Sequence, residues 1–459
     1  MPGSRSFTML MTLSGMALLI ASGCRSQKET ASSPVDVPET FSDSGTQIIP
    51  EKWWTAFDDE SLDAVVDRAL HANFSLLTAW QRLHAARAVA DRESSFLLPD
   101  LEASLQGQVN GPDDGSGQPA SISPGLSSVY EIDLWGRIRS GAEAERYRAR
   151  ATLSDYRTAA LTLSAEIART WYQLADAQSQ RELIGQQVET NLTVLELLTN
   201  RFETGQIQGV DVLRQQQLVE ATREQQAHAE SRVKVLEHQL AVLLGRPPGS
   251  AIAMTPDNLP ELPPQPAAGI PIDLIRRRPD VESAFLLMQA ADRDLASAIS
   301  NQYPRLTLSA SVSPAGDHAG SLFEDWALSL AGNLVAPIFY GGRLSAEVDR
   351  SEAVRQQRLY EYSQTVLTAF REVEDALIRE NKQSESIQYL DRQVELASRA
   401  YEQLRVQYLN GSGNYLDVLT ALDGIQQLRR DHLSARLTLV EFRIALYRSL
   451  AGSFETENG

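Results

Sequence analysis

Cysteine is nearly absent: the 459 residues hold a single one, Cys24. A lone thiol cannot close a disulfide within its own chain, nor can it supply a cysteine-pair zinc site. Histidine is scarce as well. The six present, His71, His84, His228, His238, His318 and His432, form no HExxH pattern and no paired ligand spacing, so no metal centre is read from them. The stretch "DDGSG" from Asp113 lacks the alternating ligands and closing Glu of a calcium loop and reads as an exposed turn. Phosphate loops, nucleophile elbows and Gly-rich cofactor turns are missing, which argues against an enzyme and against a bound cofactor. Positive charge is short too, with 42 Lys and Arg against 60 Asp and Glu and a net charge of −18. That balance argues against nucleic acid and against electrostatic adsorption to anionic lipid. Beyond the first two dozen residues no apolar run approaches the length of a spanning helix, so a bilayer crossing must be made by β-strands.

The position of Cys24 explains its presence. Arg5 is followed by an uncharged, largely apolar stretch from Phe7 to Ala21, then Ser22 and Gly23 directly before Cys24, the parts of a secretory signal over residues 1–23. Small residues before a cysteine suit lipoprotein signal cleavage, which leaves Cys24 to carry diacylglycerol and a further acyl chain, the only non-protein group expected. Ala21 stands where such signals usually have Leu. Arg25, rather than Asp, follows the cysteine, which permits onward export to the outer membrane. More than one acyl chain is what stable anchoring requires. Residues 24–50, rich in Ser, Thr, Pro and acids, read as an extended lipidated tether.

The remainder repeats. "LLPDLEASLQ" near Pro99 returns as "QYPRLTLSAS" near Pro304, and "WGRIRSGAEAERYRA" from Trp135 as "GGRLSAEVDRSEA" from Gly341. "RFETGQIQGVDVL" from Arg201 returns as "QYLNGSGNYLDVL" from Gln407. A period of about 206 residues means a duplicated domain and not a solenoid. The copies occupy 51–245 and 271–452, joined by a Pro-rich linker at 246–270 and followed by a tail at 453–459.

The expected fold is mixed α and β. Each copy opens with two strands (about 100–135 and 304–338) in which apolar residues such as Leu101, Ala103 and Leu105 alternate with Glu102, Ser104 and Gln106. One apolar and one polar face over about ten residues suit the wall of a membrane barrel. Four strands cannot close, and unpaired edges in hydrocarbon are costly, so the barrel must be shared; a dimer of eight strands or a trimer of twelve both satisfy this. Each copy then continues as a long antiparallel coiled-coil hairpin (about 139–245 and 343–450), almost free of Pro and Gly along its first helix. Ile387, Leu390, Val394, Ala397, Tyr401, Leu404 and Tyr408 step by three and four, a heptad seam. Its first-copy counterpart includes Ile184, Val188, Leu195, Leu198 and Phe202.

Taken together, "DLWGRIRSG", "TGQIQGVDVLRQQQ", "IPIDLIRRRPDVESA", "PIFYGGR" and "GSGNYLDVL" resemble the TolC-like outer membrane efflux proteins, in their lipoprotein branch. The resemblance covers nearly all of the mature chain. It implies a homotrimer, with twelve strands forming one transmembrane barrel and twelve helices one α-barrel through the periplasm. It further implies lipid anchoring in the outer membrane, a periplasmic adaptor protein, an inner-membrane transporter of the RND type, and export of drugs or metals. The resemblance places the periplasmic tip and adaptor-docking surface at Gly205, Val210, Asp211 and Leu213, and at Gly411, Tyr415, Leu416 and Leu419. The candidate aperture gate is Asp417, Thr420 and Asp423. Here the sequence departs from the family: Thr420 stands where Asp is usual, and Asp423 where Arg is usual. Asp211 and Asp417 are also placed where helix N-termini favour acids. A duct for type I protein secretion shares these features, and a structural periplasmic coiled-coil lipoprotein shares all but the strands.

Overall fold

The computed structural model describes residues 35–36, 38–108, 121–250, 255–256, 258–269, 271–314, 326–452 and 454. Cys24, the signal segment, the "DDGSG" turn, His318 and most of the C-terminal tail lie outside them. Among the described residues no helix is long and apolar enough to cross a membrane.

A 3₁₀ turn, Trp53–Phe57, leads into α1 (Glu60–Ala72) and α2 (Phe74–Ser95). Asp59 caps α1 by accepting from the amides of Ser61 and Leu62, both at 3.0 Å. Asn73 caps α2 in the same manner, at 2.9 and 3.1 Å. Such side chains satisfy donors that the first helical turn leaves open. β1 (Asp100–Gln108) and β2 (Ser121–Ile132) follow, then α3 (Arg137–Glu203) and α4 (Gly209–Leu243). The second copy repeats the order with α5 (Pro271–Arg277), α6 (Pro279–Ser300), β3 (Arg305–Pro314), β4 (Trp326–Val335), α7 (Arg343–Leu409) and α8 (Tyr415–Leu450). Helices α3 and α7 are each 67 residues long, a run of about 100 Å at helical rise.

The strands form one antiparallel sheet in the order β1-β2-β3-β4, so the central pair joins the two copies. Its register sorts the side chains. Leu105 lies opposite Pro124, Leu126 opposite Val312, and Val312 opposite Leu328, all on one face. The other face carries Ser127 opposite Ser311, and Ser311 opposite Ser329. Because side chains alternate with period two, a slip of one residue would mix the faces, so this sorting fixes the pairing. Leu134 lies past the end of β2 and is exposed. The apolar face is bare in the single chain, with Leu105 and Leu330 73% and 76% exposed. The outer edges of β1 and β4 have no strand partner among the described residues.

The main core lies where the 3₁₀ turn and α1 meet α3 and α8, around Trp53, Trp54, Phe57, Trp171, Tyr172 and Tyr447. Trp53 stacks on Tyr447 at 5.9 Å and donates its indole proton to Ser164 Oγ at 3.0 Å. A second core gathers Leu274, Val366, Phe370, Val373 and Leu446. Over its described part the N-terminal tether departs from the expectation of a free, extended segment. Phe41 is buried against Phe370, the Ser42 amide donates to Glu374 at 2.9 Å, and Gln47 makes a parallel bridge with Pro266 of the linker. The composition suggested solvated chain, yet one aromatic ring and a few backbone bonds strap the segment to the second copy. The linker is likewise held: Arg443 forms a buried ion pair with Glu380 and donates Nη1 to the carbonyls of Pro263 and Pro264.

Candidate functional site

Two features face outward and invite function: the bare sheet, and the ends of the hairpins farthest from it in sequence. Both hairpins turn by the same device. At the first, Gly205 adopts φ 75° while its amide bonds Phe202 O at 2.8 Å and the Gln206 amide bonds Arg201 O at 2.9 Å. At the second, Gly411 adopts φ 76° with the corresponding bonds to Tyr408 and Gln407 at 3.0 Å. This left-handed C-cap satisfies the last carbonyls of each long helix and is nearly closed to side chains with a Cβ.

Between the turns sits a small apolar cluster of Leu198, Tyr415 and Val418, flanked by Ile207, Val212, Tyr401, Leu404, Tyr408 and Leu419. It joins α3 and α4 to α7 and α8. Tyr415, expected on the docking surface, is 2% exposed, and its hydroxyl donates to Gln215 Oε1 at 2.5 Å. It therefore positions the tip from inside. Leu419 packs beside it, while Val210, Leu213 and Leu416 do face outward. Asp211 is partly covered and lies 3.6 Å from Arg214 on its own helix. Phe202, expected in the seam, is instead half exposed at the last turn of α3. Asp417, Thr420 and Asp423 are all exposed along one side of α8, and the Thr420 hydroxyl is spent on Leu416 O at 2.9 Å. Asn414 caps α8 through the Leu416 amide, so Asp417 stands in the first turn, where a helix dipole favours an acid.

Just above the cluster the seam turns polar. Asn191, fully buried, donates to Thr222 Oγ1 at 2.9 Å and to Gln426 Oε1 at 3.2 Å, and accepts from Gln426 Nε2 at 2.9 Å. Gln215 donates to Asn191 O at 2.7 Å, and Gln187 to Gln426 O at 3.1 Å. Arg430 closes the chain by donating to Gln187 and, at 2.8 Å, to Gln427. These amides bind the first hairpin to α8 with nearly every group satisfied, the condition under which buried polarity rigidifies a packing. Sequence reading missed them, although a signal was present. The first-copy seam runs 184, 188, 191, 195, 198, and the slot at 191 holds Asn where the pattern wants an apolar side chain.

Higher on α3, Asp176 is 1% exposed, and among the described residues no donor in hydrogen-bond geometry meets either carboxylate oxygen. Burial pushes its carboxyl above the usual range and Glu441 of α8 adds to this, while Arg232 of α4 and Gln180 of α3 oppose it. A folded-state value above the unfolded one means the folded chain holds the proton more tightly, so stability falls as pH rises from the ordinary carboxylate range through the raised one. Asp176→Asn is accordingly expected to raise the melting temperature at neutral pH and to leave it unchanged at pH ~2.5, where the unfolded-state carboxyl is itself largely protonated. Equal effects at both pH values would exclude this account.

Comparison with known proteins places these features in context. The sequence model described as "Outer membrane efflux protein" matches residues 65–246 and 271–452. The pyoverdine export outer membrane protein OpmQ of Pseudomonas aeruginosa is 30% identical over 419 residues, covering 88% of each chain. The toluene efflux pump outer membrane protein TtgF of Pseudomonas putida is 28% identical, covering 91% of this chain and 88% of its own. Among solved structures, the outer-membrane channel OprN superposes with a TM-score of 0.85 at 25% identity, covering 92% of this chain and 98% of that one.

Proposed function

The chain belongs to the outer membrane efflux protein family, and from that premise we propose that three copies assemble into a passive duct carrying small toxic compounds out of the cell. It is the outer membrane channel of an efflux system and does no covalent chemistry. The observation that carries the duct reading is the sheet: four strands of about ten residues, apolar on one face and polar on the other, with no strand partner for either outer edge among the described residues. Strands of that length and pattern suit a barrel wall between lipid and water, and free edges in hydrocarbon demand further strands. The two hairpins extend the wet face as a helical tunnel. Polar lining without a tight site fits a conduit, which must release what enters it.

In this reading Cys24 carries the lipid, and the bare residues Val210, Leu213 and Leu416 receive a periplasmic adaptor that links the duct to an inner-membrane transporter of the RND type. Asp417 and Asp423, exposed on α8, form acid rings at the aperture. The relatives named for pyoverdine and toluene export support small-molecule cargo; protein secretion is the alternative that shares the same architecture.

The test is purification in detergent followed by planar-bilayer recording, with drug and solvent sensitivity of a deletion strain measured alongside. Stable trimers, ohmic conductance and hypersensitivity are expected; a monomer without conductance would overturn the reading. Replacing Asp417 and Asp423 with Asn is expected to move the cation-over-anion permeability ratio toward unity while trimers persist. An unchanged ratio would remove these acids from the aperture.

A further inference from the structure

Between the core and the hairpin turns, a groove of about 390 Å³ runs over α3 at Ala177, Gln180 and Ile184. Arg232 of α4 flanks it on one side and Arg430 of α8 on the other. The direction in which it opens follows from the helix contacts. α3 meets α4 through Thr170, which accepts from Gln239 at 3.3 Å, and through Asn191, which donates to Thr222 at 2.9 Å. It meets α8 through Gln173, Gln180 and Gln187, which donate to Glu441, Ser434 and the Gln426 carbonyl at 2.6, 3.1 and 3.1 Å. Within each set the positions are multiples of seven apart, and in a heptad repeat the two lines lie only about 50° from one another. Both neighbours therefore lean to the same side of α3. Trp171 and Tyr172, buried in the core with α1, straddle the opposite side. A curved layer of helices closes around its concave side, so in a closed tube the groove faces the bore.

Its charges are arranged differently from those elsewhere on these helices. Arg148, Arg214, Arg223 and Arg405 each lie against an acid one turn earlier in the same helix. The positions three and four residues from Arg232 and Arg430 hold no acid, and neither guanidinium forms an ion pair among the described residues. Arg430 is instead aimed by amides, donating to Gln187 and, at 2.8 Å, to Gln427, which leaves further guanidinium protons for a ligand. Burial lowers its pKa, opposed by Asp423 and Asp431, so an arriving anion would stabilise a charge that the fold leaves short of partners. Of the nearby acids, Asp431 accepts from Gln427 at 2.7 Å, and Asp423 stands one heptad closer to the turn. Asp176 lies behind Gln180 and Arg232, and burial biases its carboxyl toward the neutral form, which weakens its claim on Arg232. Ile184 and Ala229 supply an apolar strip between the two cations.

We propose that this groove is a weak subsite in the bore for organic anions, a carboxylate held between Arg232 and Arg430 with its apolar body over Ile184 and Ala229. This rests on the duct reading above and adds a chemical class of cargo to it. A planar guanidinium matches a carboxylate in shape as well as in charge, which a point-charge ammonium does not. Arg232 is exposed, so water competes for the anion and the site stays weak enough for a conduit that must release what enters it. The groove is separate from the aperture acids and opposite to them in sign. An anion that has passed Asp423 meets a step that favours it.

The test uses benzoate as the probe, with benzamide as its uncharged counterpart, in equilibrium dialysis against the detergent-purified protein and in planar bilayers. Saturable benzoate binding in the millimolar range is expected, and none by benzamide. Arg232→Gln should weaken it about fivefold or more, and Arg232→Lys should fall between, since the charge returns without the fork. Arg429→Gln removes the same charge from an exposed neighbour of Arg430 and should bind as the parent does. Benzoate should reversibly reduce the parent's current and leave that of Arg232→Gln unaltered. Binding that does not saturate, or that is equal in parent and Arg232→Gln, would overturn the subsite. Binding that depends on Arg232 without any effect on current would remove it from the bore. Absence of conductance in every sample would overturn the duct reading, with dialysis alone deciding the groove.

Discussion

Arg443→Ala is expected to destabilise the folded chain by about 3–5 kcal/mol. The guanidinium is 4% exposed, pairs bidentately with Glu380 at 2.9 and 2.6 Å, and holds the linker through Pro263 and Pro264. Removing it strands a carboxylate that is 7% exposed and releases two carbonyls, and an uncompensated buried charge is far more costly than the pair is favourable. The same reasoning predicts an asymmetry. Arg443→Leu combined with Glu380→Leu should recover most of the loss, because the desolvation of both charges disappears with them. Unfolding followed by the emission of Trp53, Trp54 and Trp171, which lie in the core nearest α8, gives the measurement. A single variant within about 1 kcal/mol of the parent would mean the pair contributes little beyond an exposed one.

Asn191→Leu should loosen the hairpins near their turns. The substitution leaves both ends of the Gln426 amide without their partner, and Thr222 without its donor, inside a seam closed to water. Each stranded polar group costs about 1–3 kcal/mol, which falls on the contact between α3 and α8 instead of on the main core. The expected readout is larger and noisier conductance in planar bilayers, with trimers intact on native gels. Asn191→Leu with Gln426→Leu should return the conductance toward that of the parent, since removing both partners is close to neutral where removing one is not. If the single variant conducts as the parent does, the amide network does not hold the tip.

Much of the architecture was legible because it is periodic. Alternation of Leu101, Ala103 and Leu105 with polar residues announced strands, heptads over 387–408 announced the hairpin, and repeated landmarks announced the duplication. What escaped was whatever depends on contacts between distant segments. Gln215, Gln426 and Asn191 are ordinary polar residues in a sequence rich in them, and only the fold brings them together. Tyr415 read as a surface residue of a turn because helix position alone cannot show that Gln215, 200 residues earlier, awaits its hydroxyl. The strap around Phe41 escaped because composition averages over a segment, whereas one buried ring is enough to dock it. The motif proposed Asp417 and Asp423 for the aperture, and both are exposed on α8.

The matched helices restrict how this sequence can change. With α3 and α7 both 67 residues long, deleting one residue from either would raise its turn by about 1.5 Å and swing everything beyond the lesion by about 100°. Tyr415 would no longer find Gln215, nor Gly411 lie level with Gly205. Substitutions can accumulate independently in the two halves, but gains and losses of length must be mirrored. Descendants of the duplication should therefore differ freely in letters while keeping the same count between landmarks.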